Sequence, residues 1–133
     1  MPLIINLKPN EKLYVGGAVI QNNSDGQCEL SILNDAPLLR SKEIMKESEA
    51  DTYCKRLYLC IQMMYMDNSN LASYQARFAD LIGGLVESVP STVDLIAQIN
   101  LHLAVGRYYQ ALKTARQLVE LEQELLSHVK QPT

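Results

Sequence analysis

Five cations lie in or near the stretch where this chain changes character: Lys8, Lys12, Arg40, Lys42 and Lys46. Such side chains bind phosphate when they converge in space, because each neutralised phosphate releases condensed counterions. Arginine adds a planar fork that can pair bidentately with a phosphate or a guanine edge. The same cations are interleaved with Glu43 and Glu47, a pattern that also suits an ordinary solvated face. A second group stands near the C-terminus: Arg107, Tyr108, Tyr109 and Arg116. Tyrosine rings can stack on bases, and the flanking arginines would complete a cationic or partner-binding face. Neighbouring helix positions point about 100° apart, so one of the two tyrosines is expected to be buried and hydrogen-bonded.

Catalytic and metal chemistry find little support. Cys28, Cys54 and Cys60 form an odd set without a CxxC spacing, which reads as small buried hydrophobes in a reducing compartment. His102 and His128 stand far apart with no nearby cysteine and no HExxH pattern, so no zinc site is expected. The pairs Gly16-Gly17 and Gly83-Gly84 lack the residues of a phosphate loop or a dinucleotide fingerprint. No serine has a visible base partner. The expectation is a non-enzyme with no cofactor and no metal.

The chain has 133 residues, is 47% apolar and carries a formal net charge of −3. That is enough for one domain or two small units, and too apolar for intrinsic disorder. No run approaches the roughly 18 uninterrupted apolar residues of a membrane span. The start of the sequence lacks the features of a signal peptide, so a cytoplasmic location is expected. Residues 1–66 carry 7 cations against 8 anions, and residues 67–133 carry 5 against 7. Neither half is basic, which argues against non-specific coating of nucleic acid and requires any RNA contact to be local.

The period of the apolar residues divides the chain near residue 41. Leu3, Ile5 and Leu7 alternate, and Pro9-Asn10 turns the chain. Leu13-Tyr14-Val15 and Ala18-Val19-Ile20 flank Gly16-Gly17, where a tight turn or bulge fits. Residues 22–26 read as a hairpin loop, since Asn, Asp and Gly tolerate positive φ. Cys28, Leu30 and Ile32 alternate again, and Leu38-Leu39-Arg40 forms a last short strand that the preceding Pro37 places at an edge or at a strand start. Beyond 41 the spacing is helical. Ser48 and Ser91 open capping-box patterns, and Asp67 to Asn70 separate two helices. Lys55 and Arg56 could extend a basic surface or pair with Glu49 and Asp51 at helical spacing. Met64 reads as core, and Met63 and Met66 could offer an adaptable surface. The helix at 93–104 is apolar on two sides, which predicts a central or interface position. In the last helix, Glu120, Glu122 and Glu124 are expected to face solvent, Val129 to extend the apolar stripe and residues 131–133 to fray.

The resulting expectation is an α+β protein. A small antiparallel β unit at 1–40 precedes a bundle of three to four helices at 41–133, together forming one compact domain. The β part alone buries little, so it packs on the helices or pairs with a second copy, and its short open-edged strands are compatible with a homodimer.

An ordered set of segments carries a resemblance along most of the chain. Pro2-Leu3 leads to Leu7-Lys8-Pro9-Asn10-Glu11-Lys12, then Gly17-Ala18-Val19 and Gln21-Asn22. Lys42-Glu43-Ile44-Met45, Arg56-Leu57-Tyr58 and Met63-Met64-Tyr65-Met66-Asp67 follow. Arg107-Tyr108-Tyr109-Gln110-Ala111-Leu112, Ala115-Arg116-Gln117-Leu118 and Glu120-Leu121-Glu122 complete it. The chain resembles the flagellin-synthesis repressor family FlbT of alphaproteobacteria. That resemblance implies a post-transcriptional regulator in flagellum biogenesis. It would act on the 5′ untranslated region of flagellin mRNA, by repressing translation or promoting mRNA degradation, together with a small flagellar protein, FlaF. It makes Lys8, Lys12, Arg40, Lys42 and Lys46 the candidate RNA-binding residues, and Arg107, Tyr108, Tyr109 and Arg116 the candidate partner-binding residues.

The first 46 residues are also similar to the RNA-binding carbon-storage regulator CsrA, through Leu3-Ile4-Ile5, Asn10-Glu11-Lys12-Leu13, Gly26-Gln27, Asn34-Asp35-Ala36-Pro37 and Arg40-Ser41-Lys42-Glu43-Ile44. By that likeness Leu3 and Ile5 border an RNA site, and Arg40 holds the place of its arginine. Leu7-Lys8 supplies one cation where the CsrA pattern has a basic pair. The alternative to direct RNA contact is a protein-interaction adaptor, or chaperone-like assembly factor, that acts through a partner.

Overall fold

The computed structural model describes residues 3–130, with side chains as far as Ser127; His128, Val129 and residues 131–133, for which expectations were stated, lie outside the described side chains. The chain divides into two compact units, Met1–Ile44 and Met45–Thr133, close to the point where the apolar period changes from two to helical.

The first unit holds five strands: β1 (Leu3–Leu7), β2 (Lys12–Val15), β3 (Ala18–Gln21), β4 (Cys28–Ile32) and β5 (Leu38–Arg40). They form two antiparallel sheets, β1 with β4, and β3-β2-β5 in that order. The alternation in β1 aims Ile5 and Leu7 inward, where they meet Leu13 of β2. Val15, Cys28, Leu30, Ile32 and Leu38 pack around these three, so both sheets share one small core. Gly16 (φ 52°) and Gly17 (φ 102°) join β2 to β3 directly. Two consecutive positive φ values give a two-residue turn whose twist matches the strands, which favours glycine at both positions.

The loop at 22–26 differs from the expected hairpin. β3 pairs with β2 and β4 pairs with β1, so this loop carries the chain from one sheet to the other. Asn22 is the physical reason. Its buried amide donates to Leu7 O (3.0 Å) and Gly26 O (2.9 Å), while its Oδ1 accepts from Ser24 N (2.9 Å) and Ser24 Oγ (2.7 Å). Those bonds hold the loop against the end of β1, so β4 takes β1 as its neighbour.

The second unit contains α1 (Tyr53–Met66), α2 (Leu71–Ser88), α3 (Val93–Ala104) and α4 (Tyr108–Lys130). α1 packs between α2 and α4, and α3 packs on α4. The central place of α1 accounts for its broad burial, which takes in Cys54, Leu57, Tyr58, Ile61 and Met64. Phe78 and Leu85 anchor α2, and Ala111, Leu112, Ala115 and Leu118 anchor α4. No helix among the described residues is long and apolar enough to cross a membrane.

Three local expectations are corrected. α1 is capped by Thr52, whose Oγ1 accepts from Lys55 N (3.2 Å); Ser48 lies in a preceding 3-10 turn. Ser91 does not cap α3: it lies within the 3-10 turn Pro90–Thr92, and the position before α3 is Thr92, whose own backbone is helical and whose hydroxyl donates to Val89 O (2.7 Å). α3 is a flanking helix rather than a central one. It buries Ile96 and Ile99, while Leu101 is 70% exposed on its outer side. Ile96, Ile99 and the half-buried Leu95 and Leu103 turn inward, whereas Val93, Ala97, Leu101 and Ala104 are exposed.

Candidate nucleic-acid interface

The site grows from a turn. Pro9 and Asn10 reverse the chain after β1, with Asn10 at φ 65°, a conformation its short amide side chain tolerates. Glu11 closes this turn from both ends: its N–H donates to Lys8 O (3.0 Å), and its Oε1 accepts from Lys8 N (3.0 Å). Its other oxygen meets a distant residue. Arg40, at the end of β5 and opposite Leu13 of β2, brings Nη1 to Glu11 Oε2 (3.2 Å) and to Asn6 O of β1 (3.2 Å). The 3-10 turn at Ser41–Glu43 follows at once and is held by Arg40 N donating to Glu43 Oε1 (3.0 Å) and Ser41 Oγ donating to Lys12 O (3.1 Å).

The product is a shallow depression of about 340 Å³, lined by Asn6, Lys8, Glu11, Gln27, Arg40 and Lys42. Three of the five cations singled out in the sequence, Lys8, Arg40 and Lys42, thus line one depression together with Glu11. Lys12 is exposed at the start of β2, opposite Gln21 and outside this lining. Lys46 belongs to the second unit, where its N–H donates to Glu49 Oε1 (2.9 Å). The Lys8 N–H and the Arg40 guanidinium hold the Glu11 carboxyl below its ordinary range, against an opposing effect of burial. At neutral pH the depression therefore carries an ionised Glu11 as internal counterion. The Arg40 side chain is 33% exposed and Glu11 25%, so an incoming phosphate can compete for the guanidinium.

Glu11, Asn6 and Gln27 were not among the candidate site residues. The role of Glu11 in the turn has a local sign, a carboxylate three residues after Lys8 across Pro-Asn. Its partnership with Arg40, 29 residues on, has none.

The second candidate group lies where α3 turns into α4. Gly106 (φ 75°) makes the turn, and Arg107 N–H closes it on His102 O (2.8 Å). Tyr108 and Tyr109 are both half-buried, so neither takes the fully buried place expected of one of them. The Tyr109 ring stands 6.0 Å from that of Tyr65 on α1, and Lys113 Nζ lies 5.4 Å from the Tyr109 ring centre. Arg116 follows seven residues after Tyr109, two turns along the same helix face, and is exposed. Of the basic residues at the head of α1, Lys55 pairs with Asp51 (3.3 Å), as the spacing predicts, whereas Arg56 donates to Ala50 O (3.4 Å).

Both candidate groups fall within residues 3–126, the region matched by the family model described as flagellar protein FlbT. The chain belongs to the FlbT family. A probable flagellum biosynthesis repressor protein FlbT from Rhodopseudomonas palustris (strain TIE-1) is 42% identical over 127 residues, covering 96% of this chain and 99% of the relative. One from Caulobacter sp. (strain K31) is 39% identical over 132 residues, covering 97% and 99%. The flagellum biosynthesis repressor protein FlbT of Caulobacter vibrioides (strain ATCC 19089 / CIP 103742 / CB 15) is 37% identical over 132 residues, covering 97% and 92%. No solved structure matches the chain. The FlbT match spans the β unit and all four helices, so the two units form one family architecture.

Proposed function

We propose that this chain lowers flagellin synthesis after transcription, by binding the 5′ untranslated region of flagellin mRNA through its β unit. The observation that carries the reading is the convergence of Lys8, Arg40 and Lys42 on one depression at the end of β1. The names of its FlbT relatives as flagellum biosynthesis repressors support the biological direction. Lys8 and Lys42 suit phosphates as mobile point charges. Arg40, prealigned by Glu11 and Asn6 O, offers a fork for a guanine edge or a phosphate. An RNA held here would be withheld from initiation or presented for degradation. Lys12 extends the same unit's cationic surface.

The test is a titration of flagellin leader RNA at several salt concentrations, with Lys8→Ala, Arg40→Ala and Lys42→Ala beside the parent chain. Saturable, sequence-dependent binding that weakens in each variant is expected. Equal affinity for leader and scrambled RNA, or no binding by the chain with or without a FlaF-like protein, rules out direct recognition.

One observation favours a second reading. Arg40 is already engaged by Glu11, and the whole chain is acidic. An adaptor that acts through a FlaF-like partner, docked on Arg107, Tyr108, Tyr109 and Arg116, needs no free guanidinium on the β unit. If Arg116→Glu abolishes partner co-purification and repression while Arg40→Ala leaves repression intact, this second reading replaces the first.

A further inference from the structure

We propose that a groove in the helical unit, between α1, α2 and the segment at 45–50, docks a partner-protein segment that combines apolar anchors with Asp or Glu side chains. The groove has a volume of about 590 Å³, within the range of specific binding clefts. Its apolar surface comes from Met45, Leu59, Met63 and Leu81, all half-buried. Methionine adapts its shape to a binding partner at little rotamer strain.

The groove is pre-formed. Buried Gln62 clamps the Met45 wall on both sides of its peptide, with Met45 N donating to Gln62 Oε1 (2.7 Å) and Gln62 Nε2 donating to Met45 O (3.0 Å). The opposite wall is α2, tied back to α1 by Tyr74 OH donating to Asp67 Oδ2 (2.9 Å).

Its charge selects the occupant. Arg56 and Arg77 are exposed and line the groove, and neither has an ion-pair partner among the described residues. Arg56 is steadied by its bond to Ala50 O (3.4 Å). Arg77 lines the groove together with buried Cys60, whose thiol is raised by burial and partly lowered by the Arg77 charge. Two guanidiniums against the single carboxylate of Glu47, beside an apolar floor, match a segment with apolar side chains on one face and carboxylates beside them. A polynucleotide fits poorly. The lining offers one aromatic ring, Tyr74, where a run of bases needs successive stacking platforms. The site lies wholly in the second unit and does not depend on the RNA reading of the β unit.

A random peptide library displayed on phage, panned on the full chain, tests this. Enriched peptides should combine apolar residues at helical spacing with Asp or Glu. As synthetic peptides they should bind about tenfold or more weakly to the Arg56→Glu/Arg77→Glu double variant, and shift the methyl signals of Met45 and Met63 in the parent. Both arginines are exposed, so the variant should keep its helical circular dichroism; if it does not, Arg77→Gln alone is compared in its place. Enriched peptides that are basic, that bind parent and variant equally, or that leave Met45 and Met63 unshifted overturn the proposal. So does the absence of enrichment, or an oligouridine probe that competes with the peptides.

Discussion

Glu122 of α4 accepts a hydrogen bond from the Thr52 hydroxyl at the N-terminus of α1. The same carboxylate accepts from Cys54 N (3.2 Å), while Thr52 Oγ1 accepts from Lys55 N (3.2 Å). Two residues 70 positions apart thus share the task of capping one helix. The first turn of a helix presents N–H groups without intrahelical partners and a partial positive charge, and a carboxylate satisfies both. Glu122, expected to face solvent with Glu120 and Glu124, is instead turned inward and half-buried.

Removing this cap should destabilise the helical unit. Thr52→Ala is expected to cost about 1 kcal/mol and Thr52→Ser much less, because serine keeps the hydroxyl. Glu122→Gln keeps the length and loses the charge, with an expected cost of about 0.3–1 kcal/mol. Urea unfolding followed by circular dichroism measures all three. A Thr52→Ala midpoint equal to that of the parent would show that the Thr52 bond adds nothing.

Glu122 also bears on thiol chemistry. Burial, followed by the charge and hydrogen bond of Glu122, pushes the Cys54 thiol up to about 12. Burial raises Cys60 as well, partly offset by Arg77. Cys28 is half-buried on β4. Labelling with a thiol-disulfide reagent near pH 8 should therefore modify Cys28 first, with Cys54 and Cys60 reacting only on unfolding. Rapid native labelling of Cys54 would contradict the buried α1 interface.

The paired glycines of α2 should separate in their response to alanine. A Cβ at Gly83 meets nothing within 4 Å, so Gly83→Ala should stabilise by about 0.5–1 kcal/mol through helix propensity alone. A Cβ at Gly84 would come within 3.1 Å of the Tyr53 ring. Gly84→Ala should therefore be the less stable of the two in thermal unfolding, and equal melting temperatures would show that the ring yields freely.

Asp67 gives the α1–α2 joint a pH dependence. It accepts from Ser69 Oγ (2.6 Å), Asn70 Nδ2 (3.0 Å) and Tyr74 OH (2.9 Å), and these bonds hold its carboxyl below the ordinary 3.8. A depressed folded value means that the stabilisation is present above 3.8 and is lost as pH falls through the folded value beneath it. Carboxyl carbon chemical shifts should place the Asp67 midpoint below 3.8, and a midpoint at or above it would remove the three bonds from the account.

The Glu11 pair predicts opposite effects at the proposed RNA site. Glu11→Gln removes the counterion from Arg40 and should strengthen leader RNA binding, whereas Arg40→Ala should weaken it. Lys8→Ala should lower the slope of log affinity against log salt by about 0.7, the loss of one single-stranded phosphate contact. Weaker binding by Glu11→Gln would mean that the carboxylate aligns Arg40 rather than competing for it.

Strand and helix types, and the change from one to the other near residue 41, were legible because side-chain period is a property of the local backbone. The alternation of Leu3, Ile5 and Leu7, the Gly16-Gly17 turn and the helical spacing beyond residue 41 each needed only neighbours in the chain. Part of the candidate site was legible too, since Lys8 beside a Pro-Asn turn and Arg40 at the end of a strand were visible as residues. Their meeting was not. Arg40 reaches Asn6 and Glu11 because β5 pairs with β2, and β2 with β3, a pairing no local period encodes. The loop at 22–26 looked like a hairpin because its residues favour turns, yet Asn22 bonds to Leu7 O and sends β4 to β1. The same holds for Glu122 and for the outer stripe of α3. An apolar or acidic pattern states which side chains can face inward or outward, and only the packing of α1 and of α3 against α4 decided which of them do. The amino-acid order thus determined the elements and the inventory of cations. The tertiary structure decided which charges share a site, because ion pairs and caps across tens of residues depend on strand pairing and helix packing rather than on spacing along the chain.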